Sequence, residues 1–296
     1  MLSYIVPFIV LILIVVFIHE YGHYFFAKKF GVGITDFSIG FGQEIFGWND
    51  KSGTRWKVCW IPLGGYVKFF GDRNVFSQAD QEKIIQKYNE EDRKKLFVLK
   101  PLYQRVLIVF GGPLANFLLA LVIFFSIYTF VGKDFTPAVI NEVQKNSPAM
   151  VGGIKQNDII LEIDGNKVKS IMDVSKYIMM STDDFINFKV KRSYDELILK
   201  IKPNIVMGED NLGNKINKRM VGIKLGAYNN EINHVKLGPA QAIYHAAHEV
   251  YYVSVSSLKY IGAMIFGKAD TSQLGGPIRI AKISGQVAEF GFLAFI

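Results

Sequence analysis

The chain has 296 residues, half of them apolar, and its 34 basic and 26 acidic residues give a formal net charge of +8. The basic residues are dispersed among acids rather than clustered, which argues against nucleic-acid binding. A positive mean hydropathy is unusual for a soluble protein, whereas a basic surface suits a protein that faces anionic lipid headgroups in a bilayer. Cys59 is the only cysteine, so the chain forms no internal disulfide.

Two long apolar stretches predict membrane-spanning helices. Residues 4–26 are enough to cross about 30 Å of hydrocarbon, and they lack the basic start and small-residue cleavage site of a signal peptide. We therefore expect a retained span. Residues 106–131 contain no charged side chain and predict a second span, in which Gly111 and Gly112 favour close approach of another helix.

Two further apolar stretches are weaker. Residues 240–266 predict a third span, although two histidines, a glutamate and a lysine interrupt it. The run 287–296 is too short to cross a bilayer. We expect it to be the start of a fourth helix inside which the chain stops.

Basic residues beside the spans set the expected orientation. They flank the first three spans at Lys28, Lys29, Lys100, Arg105, Lys268, Arg279 and Lys282. All of them fall on one side if the N-terminus faces outside. Residues 27–104 are then cytoplasmic, and residues 133–239 are extracytoplasmic.

The segments between the spans contain strand and helix signals. Residues 32–71 hold two strand-like runs joined by Gly, Asn and Asp, which predict a β-hairpin. Residues 78–99 are charged and have apolar side chains at helical spacing, which predicts an amphipathic helix on the membrane surface.

Residues 133–227 predict a compact α+β domain. Asp164-Gly165 is typical of a two-residue hairpin turn. Apolar alternation and helical spacing predict strands at 138–143, 159–163, 186–192 and 196–201 and a helix at 171–180.

The sequence His19-Glu20-Tyr-Gly-His23 is an HExxH motif. On a helix the two histidines are one turn apart on one face, so both imidazoles can bind one Zn²⁺ ion. Glu20 lies beside that position, where it can act as the catalytic base towards water. The alternative is a histidine pair that merely packs. Each ionisable residue deep in a span costs roughly 2.5–3.5 kcal/mol, and a bound metal offsets that cost, so we favour catalytic zinc.

Several motifs in register resemble the site-2 protease family of intramembrane zinc metalloproteases, most of all its bacterial regulators of sigma-E. The HExxH motif at the end of the first span is the first of them. Others are similar to that family's membrane-reentrant β-hairpin (residues 37–42 and 61–68), second-span motif (112–116), PDZ domain (147–149, 157–158 and 163–165) and the stretch before its last helices (276–281).

The resemblance implies a multi-pass α-helical membrane protein with a membrane-associated β-hairpin and an inserted α+β PDZ-like domain. It implies Zn²⁺ as the cofactor and single-pass membrane proteins as substrates, such as a trimmed anti-sigma factor or signal-peptide remnants. The location it implies is the bacterial cytoplasmic membrane, with the N-terminus and the PDZ-like domain outside.

Two features depart from the family pattern. The interval between the second and third spans holds one PDZ domain, whereas related proteases often carry two. The family's third zinc ligand is an aspartate in an LDG motif that this chain lacks, because Leu274-Gly-Gly276 has no acid. We expect Asp270 in a solvated loop and the third ligand beyond Ile296.

Three residues are candidates for substrate binding. If the hairpin enters the membrane, the backbone at Gly40 and Gly42 can pair with an unwound substrate strand, although both glycines also suit plain turns. Asn116 lies either near the active site or in a helix-packing hydrogen bond. His245 and His248 suit interfacial positions better than a second metal site.

Two other functions stay open from the sequence. A non-catalytic membrane adaptor would use only the PDZ-like domain, and a metal transporter would carry His19 and His23 on its path. The predicted parts are a first transmembrane helix (1–27), a cytoplasmic-side segment (28–104) with the hairpin (32–71), a second transmembrane helix (105–132), the PDZ-like domain (133–227), a linker with a third helix (228–267), and a loop with the start of a fourth (268–296).

Overall fold

The structure, a computed structural model, describes residues 2–71, 88–209, 215–227, 233–267, 276–289 and 291. The helices are α1 Leu2–Lys29, α2 Glu90–Arg93, α3 Leu102–Ser126, α4 Pro148–Val151, α5 Ile171–Met180, α6 Pro239–Ile265 and α7 Pro277–Glu289. The strands are β1 Ile34–Asn49, β2 Arg55–Phe69, β3 Lys133–Asp134, β4 Val139–Val143, β5 Ile159–Ile163, β6 Asn166–Lys167, β7 Ile186–Arg192, β8 Asp195–Ile201, β9 Asn204–Glu209, β10 Lys215–Met220, β11 Ile223–Gly226 and β12 His234–Val235. The chain forms two compact units, Met1–Ala120 with Gly276–Ile296, and Leu121–Gly275.

Two helical segments are long and apolar enough to cross a membrane, Tyr4–Lys29 and Leu102–Val131. The second comprises α3 and the π-helical turn Ile127–Val131. Few of their side chains are buried inside the protein, so their apolar surfaces are free to face lipid. The third predicted span is a helix, α6, but in the described part of the chain only the first two segments pass this test. Its polar and charged side chains account for the lower hydropathy of α6.

The first unit contains a hairpin in which both strands bend. The first half of β1 lies between the two ends of β2 and pairs with both of them. Phe37, for example, lies opposite Val67 on one side and opposite Trp56 on the other. The second half of β1 also pairs with the start of β2. The bend in β1 falls at Gly40 and Gly42, whose φ angles of +86° and +87° favour glycine. Two long strands thus form a small sheet of four segments.

The turn of this hairpin is tied to α1 through Asp50. Its carboxylate accepts hydrogen bonds from the backbone N–H groups of Ser52 (2.8 Å) and Thr54 (3.0 Å) and from the Trp56 indole (3.2 Å). The Tyr24 hydroxyl on α1 donates a further hydrogen bond at 3.0 Å. Asp50 therefore fixes the turn beside α1.

Two predictions for the first unit are wrong in part. The amphipathic helix does not continue from residue 88 to residue 99, because the Asn89 side chain caps a new short helix, α2, and a 3₁₀ turn follows at Phe97–Leu99. The rest of that prediction, residues 78–87, lies outside the described residues. The last helix begins at Pro277 rather than at Val287. Polar residues in α7 hide this start from a search for apolar runs.

The second unit contains a six-stranded antiparallel sheet in the order β11-β4-β5-β7-β8, with β6 paired to β5. The β5 strand and the α5 helix have the bounds that the sequence predicts. Asp164 and Gly165 join β5 to β6 with φ angles of 48° and 77°, as a two-residue hairpin turn requires. Buried apolar side chains from the sheet, α4 and α5 form its core, which includes Ile140, Ala149, Ile160, Val174, Phe188 and Ile201.

One ion pair is built into the second unit. The Asp158 side chain is 1% exposed, and the Arg192 guanidinium donates two hydrogen bonds of 2.8 Å to its two oxygens. Asp158 also accepts the backbone N–H of Lys155 at 2.9 Å. A bidentate pair with a further donor satisfies a buried carboxylate, so this contact connects β7 to the loop before β5.

Candidate metal centre

The α1 helix brings the two motif histidines together. The Nε2 atoms of His19 and His23 are 3.2 Å apart, and the rings meet edge-on at 80°. Two imidazole nitrogens bound to one tetrahedral Zn²⁺ at about 2.0–2.1 Å lie about 3.3 Å apart. The separation therefore fits two ligands of a single zinc ion.

The other ring nitrogens of both histidines contact the α3 helix. His23 Nδ1 lies 2.8 Å from the carbonyl oxygen of Ile108, to which it donates as Nδ1–H. That hydrogen bond leaves the Nε2 lone pair free for a metal, which is the usual arrangement of a histidine ligand.

The Asn116 side chain contacts Nδ1 of His19, as the carbonyl of Ile108 contacts Nδ1 of His23. Its side-chain amide lies 3.2 Å from His19 Nδ1, and its Oδ1 atom is buried without a hydrogen-bond partner among the described residues. Exchanging the amide N and O positions gives Oδ1 the Nδ1–H of His19 as a donor. Both histidines then present Nε2 to the same point.

A glycine keeps this point open. A Cβ atom on Gly112 would lie 2.7 Å from Nε2 of His19 and would also collide with Nε2 of His23. The α1 and α3 helices approach closely at the neighbouring residues, where a Cβ on Gly22 would overlap the carbonyl group of Gly111. The sequence predicts the close approach, but the space in front of the imidazoles is visible only in the structure.

Glu20 lies against the end of the hairpin. A Cβ atom on Gly65 of β2 would be 3.1 Å from Cγ of Glu20 and 2.9 Å from the Val16 side chain. The backbone of Val67 also lies near the Glu20 carboxyl group. The carboxylate is therefore held between α1 and β2, beside the histidine pair. Sequence reasoning missed Gly65, and the paired glycines at 64 and 65 are the signal that could have found it.

The three candidate substrate-binding residues have different surroundings. Gly40 is buried, and a Cβ on it would meet the carbonyl oxygens of Cys59 and Ile61 at 2.9 and 2.8 Å. Gly42 is exposed at the bend of β1. Asn116 contacts His19, so its position suits support of a metal ligand.

In the second histidine pair, His245 packs against aromatic side chains. The His245 ring lies edge-on to the rings of Tyr128 and Phe135, at centroid distances of 6.4 and 5.6 Å. Within the described ranges no group of three or more His, Cys, Asp or Glu side chains is placed to hold a metal. Asp270 lies outside those ranges, and the third zinc ligand stays a prediction from the sequence.

An apolar helix that carries HExxH, with two converging imidazoles supported from a second apolar helix, is the arrangement expected of a membrane-embedded zinc metalloprotease. The model of Peptidase family M50 matches residues 7–296 of the chain. The chain belongs to this family, the site-2 proteases.

Named relatives agree with this assignment. A protein of Agrobacterium fabrum with the name "putative zinc metalloprotease" is 39% identical over 294 residues, which cover 99% of this chain and 78% of that protein. Metalloprotease MmpA of Caulobacter vibrioides is 34% identical over 281 residues, covering 93% of this chain and 70% of the relative.

Solved structures similar to part of the chain include PDZ domains of two SdrC-like proteins. The domain from Listeria monocytogenes is 25% identical, with a TM-score of 0.24, and the match covers 31% of this chain and 88% of that domain. The domain from Listeria innocua is 24% identical, with a TM-score of 0.25 and coverage of 32% and 99%.

Proposed function

We propose that the protein hydrolyses peptide bonds of single-pass membrane proteins in the bacterial cytoplasmic membrane, as a protease of regulated intramembrane proteolysis. The substrates we expect are anti-sigma factors already trimmed by another protease, or signal-peptide remnants. The observation that carries the proposal is the histidine pair on a helix apolar enough to span a membrane, with Nε2 atoms 3.2 Å apart. A soluble peptide hydrolase has no need to place these groups on such a helix.

The roles of the residues follow from their positions. His19 and His23 hold the zinc ion, and Ile108 and Asn116 orient their rings. Bound zinc supplies a Lewis acid that polarises a peptide carbonyl and lowers the pKa of water. Glu20 accepts a proton from the attacking water and later delivers it to the nitrogen of the leaving amine.

The substrate must present an extended backbone. In a helical substrate each peptide group is hydrogen-bonded within its own segment, so the segment has to unwind before attack. The end of β2 beside Glu20 pairs with β1 on one side. We place the unwound segment along the hairpin as an added strand, with Gly42 at the exposed bend.

We assign residues 133–227 to a PDZ-like domain outside the membrane, together with the N-terminus. The edge strand β11 pairs only with β4 among the described strands. An extended peptide adding to such an edge is the usual PDZ mode of binding, and a size filter over the active site is the other role that this position allows.

The test is cleavage of a tagged single-pass membrane protein by the full-length enzyme in proteoliposomes. Replacing Glu20→Gln removes the base but no metal ligand, so cleavage should fall at least about 100-fold while zinc content stays unchanged. Glu142→Gln, at an exposed carboxylate of the second unit, is the matched control and should cleave normally. Equal cleavage by the wild type and Glu20→Gln would remove Glu20 from the mechanism, and a zinc-free active enzyme would refute the proposal.

A further inference from the structure

The second unit contains a cavity of about 220 Å³ that the proteolytic function does not use. Its walls come from β3, from β6 with the turn before it and the loop after it, from α5, and from α6. The charged side chains that line it are Lys133, Lys167, Lys169, Asp173 and Glu249.

The two carboxylates of the cavity already have partners. Asp173 accepts the backbone N–H groups of Lys169 (3.0 Å) and Ser170 (3.1 Å) as the cap of α5. Lys176 lies behind the lining and places its Nζ 2.9 Å from Glu249 and 3.4 Å from Asp173. Four lysines thus face two carboxylates, which leaves a positive charge of about two for a ligand.

Lys133 is largely buried and only weakly paired. Its side chain is 15% exposed, and its nearest carboxylate oxygen, on Glu249, is 3.9 Å away. The ammonium group lies 4.8 Å above the ring of Tyr128. Burial lowers the pKa of Lys133 despite the nearby Glu249. A buried ammonium at the limit of ion-pair distance is a ready partner for an anion.

The position of the cavity favours one source of that anion. Lys133 follows the end of the apolar segment Leu102–Val131 by two residues. A charged side chain there lies at the depth of the lipid phosphates if the segment spans the bilayer. Tyr244 also lines the cavity and is 63% exposed, as is typical of aromatic side chains at a membrane interface.

We infer that this cavity binds the phosphate group of an anionic phospholipid through Lys133, Lys167 and Lys169. The zwitterionic headgroup of phosphatidylcholine carries an ammonium beside its phosphate and leaves the excess positive charge of the cavity uncompensated. Phosphatidylglycerol carries a net charge of −1 and compensates about half of that excess. The lipid would anchor the second unit at the membrane surface.

Native mass spectrometry of the detergent-solubilised full-length protein tests this inference. We expect phosphatidylglycerol to bind more tightly than phosphatidylcholine, and each Lys→Gln change in the cavity to weaken phosphatidylglycerol about fivefold. Lys133→Gln combined with Lys169→Gln should therefore weaken it about 25-fold. Lys155→Gln with Lys191→Gln, two lysines of the same unit outside the cavity, is the matched control and should leave binding unchanged.

Two outcomes overturn the inference. One is equal binding of phosphatidylglycerol by the cavity variant and the wild type. The other is saturation of the site by inorganic phosphate at concentrations that displace the lipid, which identifies a free-phosphate site. Lys133 is largely buried and its replacement can affect folding, so Lys169→Gln, at an exposed position, is measured alone with its thermal unfolding. A fivefold loss of lipid binding at unchanged Tm supports the inference, and unchanged lipid binding contradicts it.

Discussion

Replacing Asn116→Ala tests whether the α3 helix orients the zinc ligands. Asn116 is the side chain that meets Nδ1 of His19, at 3.2 Å, and its own Oδ1 has no other partner among the described residues. Loss of one hydrogen bond costs about 1 kcal/mol. The released imidazole also divides between two tautomers, of which only one presents a lone pair at Nε2. We therefore expect zinc affinity to fall about 10- to 100-fold, which is 1.4 to about 2.7 kcal/mol.

The assay is competition for zinc with a chromophoric chelator, using the full-length protein in detergent, so that the readout is independent of proteolysis. Phe117→Ala changes the next residue of α3, which is 45% exposed, and should bind zinc as the wild type does. Asn116→Asp keeps an oxygen acceptor for the Nδ1–H group and should retain an affinity within about threefold of the wild type. Zinc affinity of Asn116→Ala within twofold of the wild type would refute the reasoning, because packing alone would then orient His19.

Three further predictions concern the centre and the two units. Gly112→Ala places a methyl group against both imidazoles, so metal analysis should show zinc falling from about one ion per chain to near zero. The control Gly262→Ala adds a methyl group in open space and should keep the zinc content of the wild type. Asp158→Asn breaks a buried ion pair and should lower the free energy of unfolding of the second unit by about 3 kcal/mol in denaturant titration. The control Glu142→Gln breaks an exposed pair and should lower that free energy by less than about 1 kcal/mol. Although burial raises the pKa of Asp50, its hydrogen bonds lower that pKa to well below the usual range. Its stabilising contribution is therefore complete above about pH 4 and is lost on further acidification, and tryptophan fluorescence of the hairpin against pH should show a loss that Asp50→Asn abolishes.

The secondary structure of the second unit is largely predictable from local sequence. Strand β5 alternates apolar side chains between two faces, and α5 begins directly after Ser170, whose side chain caps the helix. Both elements therefore have bounds that follow from nearby residues. The fold of the hairpin is not local in this sense. Phe37 pairs with two distant segments of β2, and nothing in the strand pattern states that both edges of β1 are used.

The metal centre is predictable only in part for a related reason. The spacing of His19 and His23 on one helix face places their imidazoles together without any tertiary contact. The partner of His23 is the backbone carbonyl of Ile108, and a carbonyl group has no side-chain signature in the sequence. The predicted start of the last helix is ten residues late because the apolar positions of α7 are separated by polar ones, such as Arg279 and Lys282.

The distance between α1 and α3 connects the fold to the chemistry. The two helices are close enough at Gly22 and Gly111 that a single added methyl group would overlap backbone atoms. At that separation the carbonyl of Ile108 and the amide of Asn116 both reach ring nitrogens of the facing helix. A larger separation would leave the imidazole N–H groups without acceptors in an apolar surrounding, where each unpaired donor costs several kcal/mol. Small residues at the helix contact thus determine both helix packing and the orientation of the zinc ligands, and neither is achieved without the other.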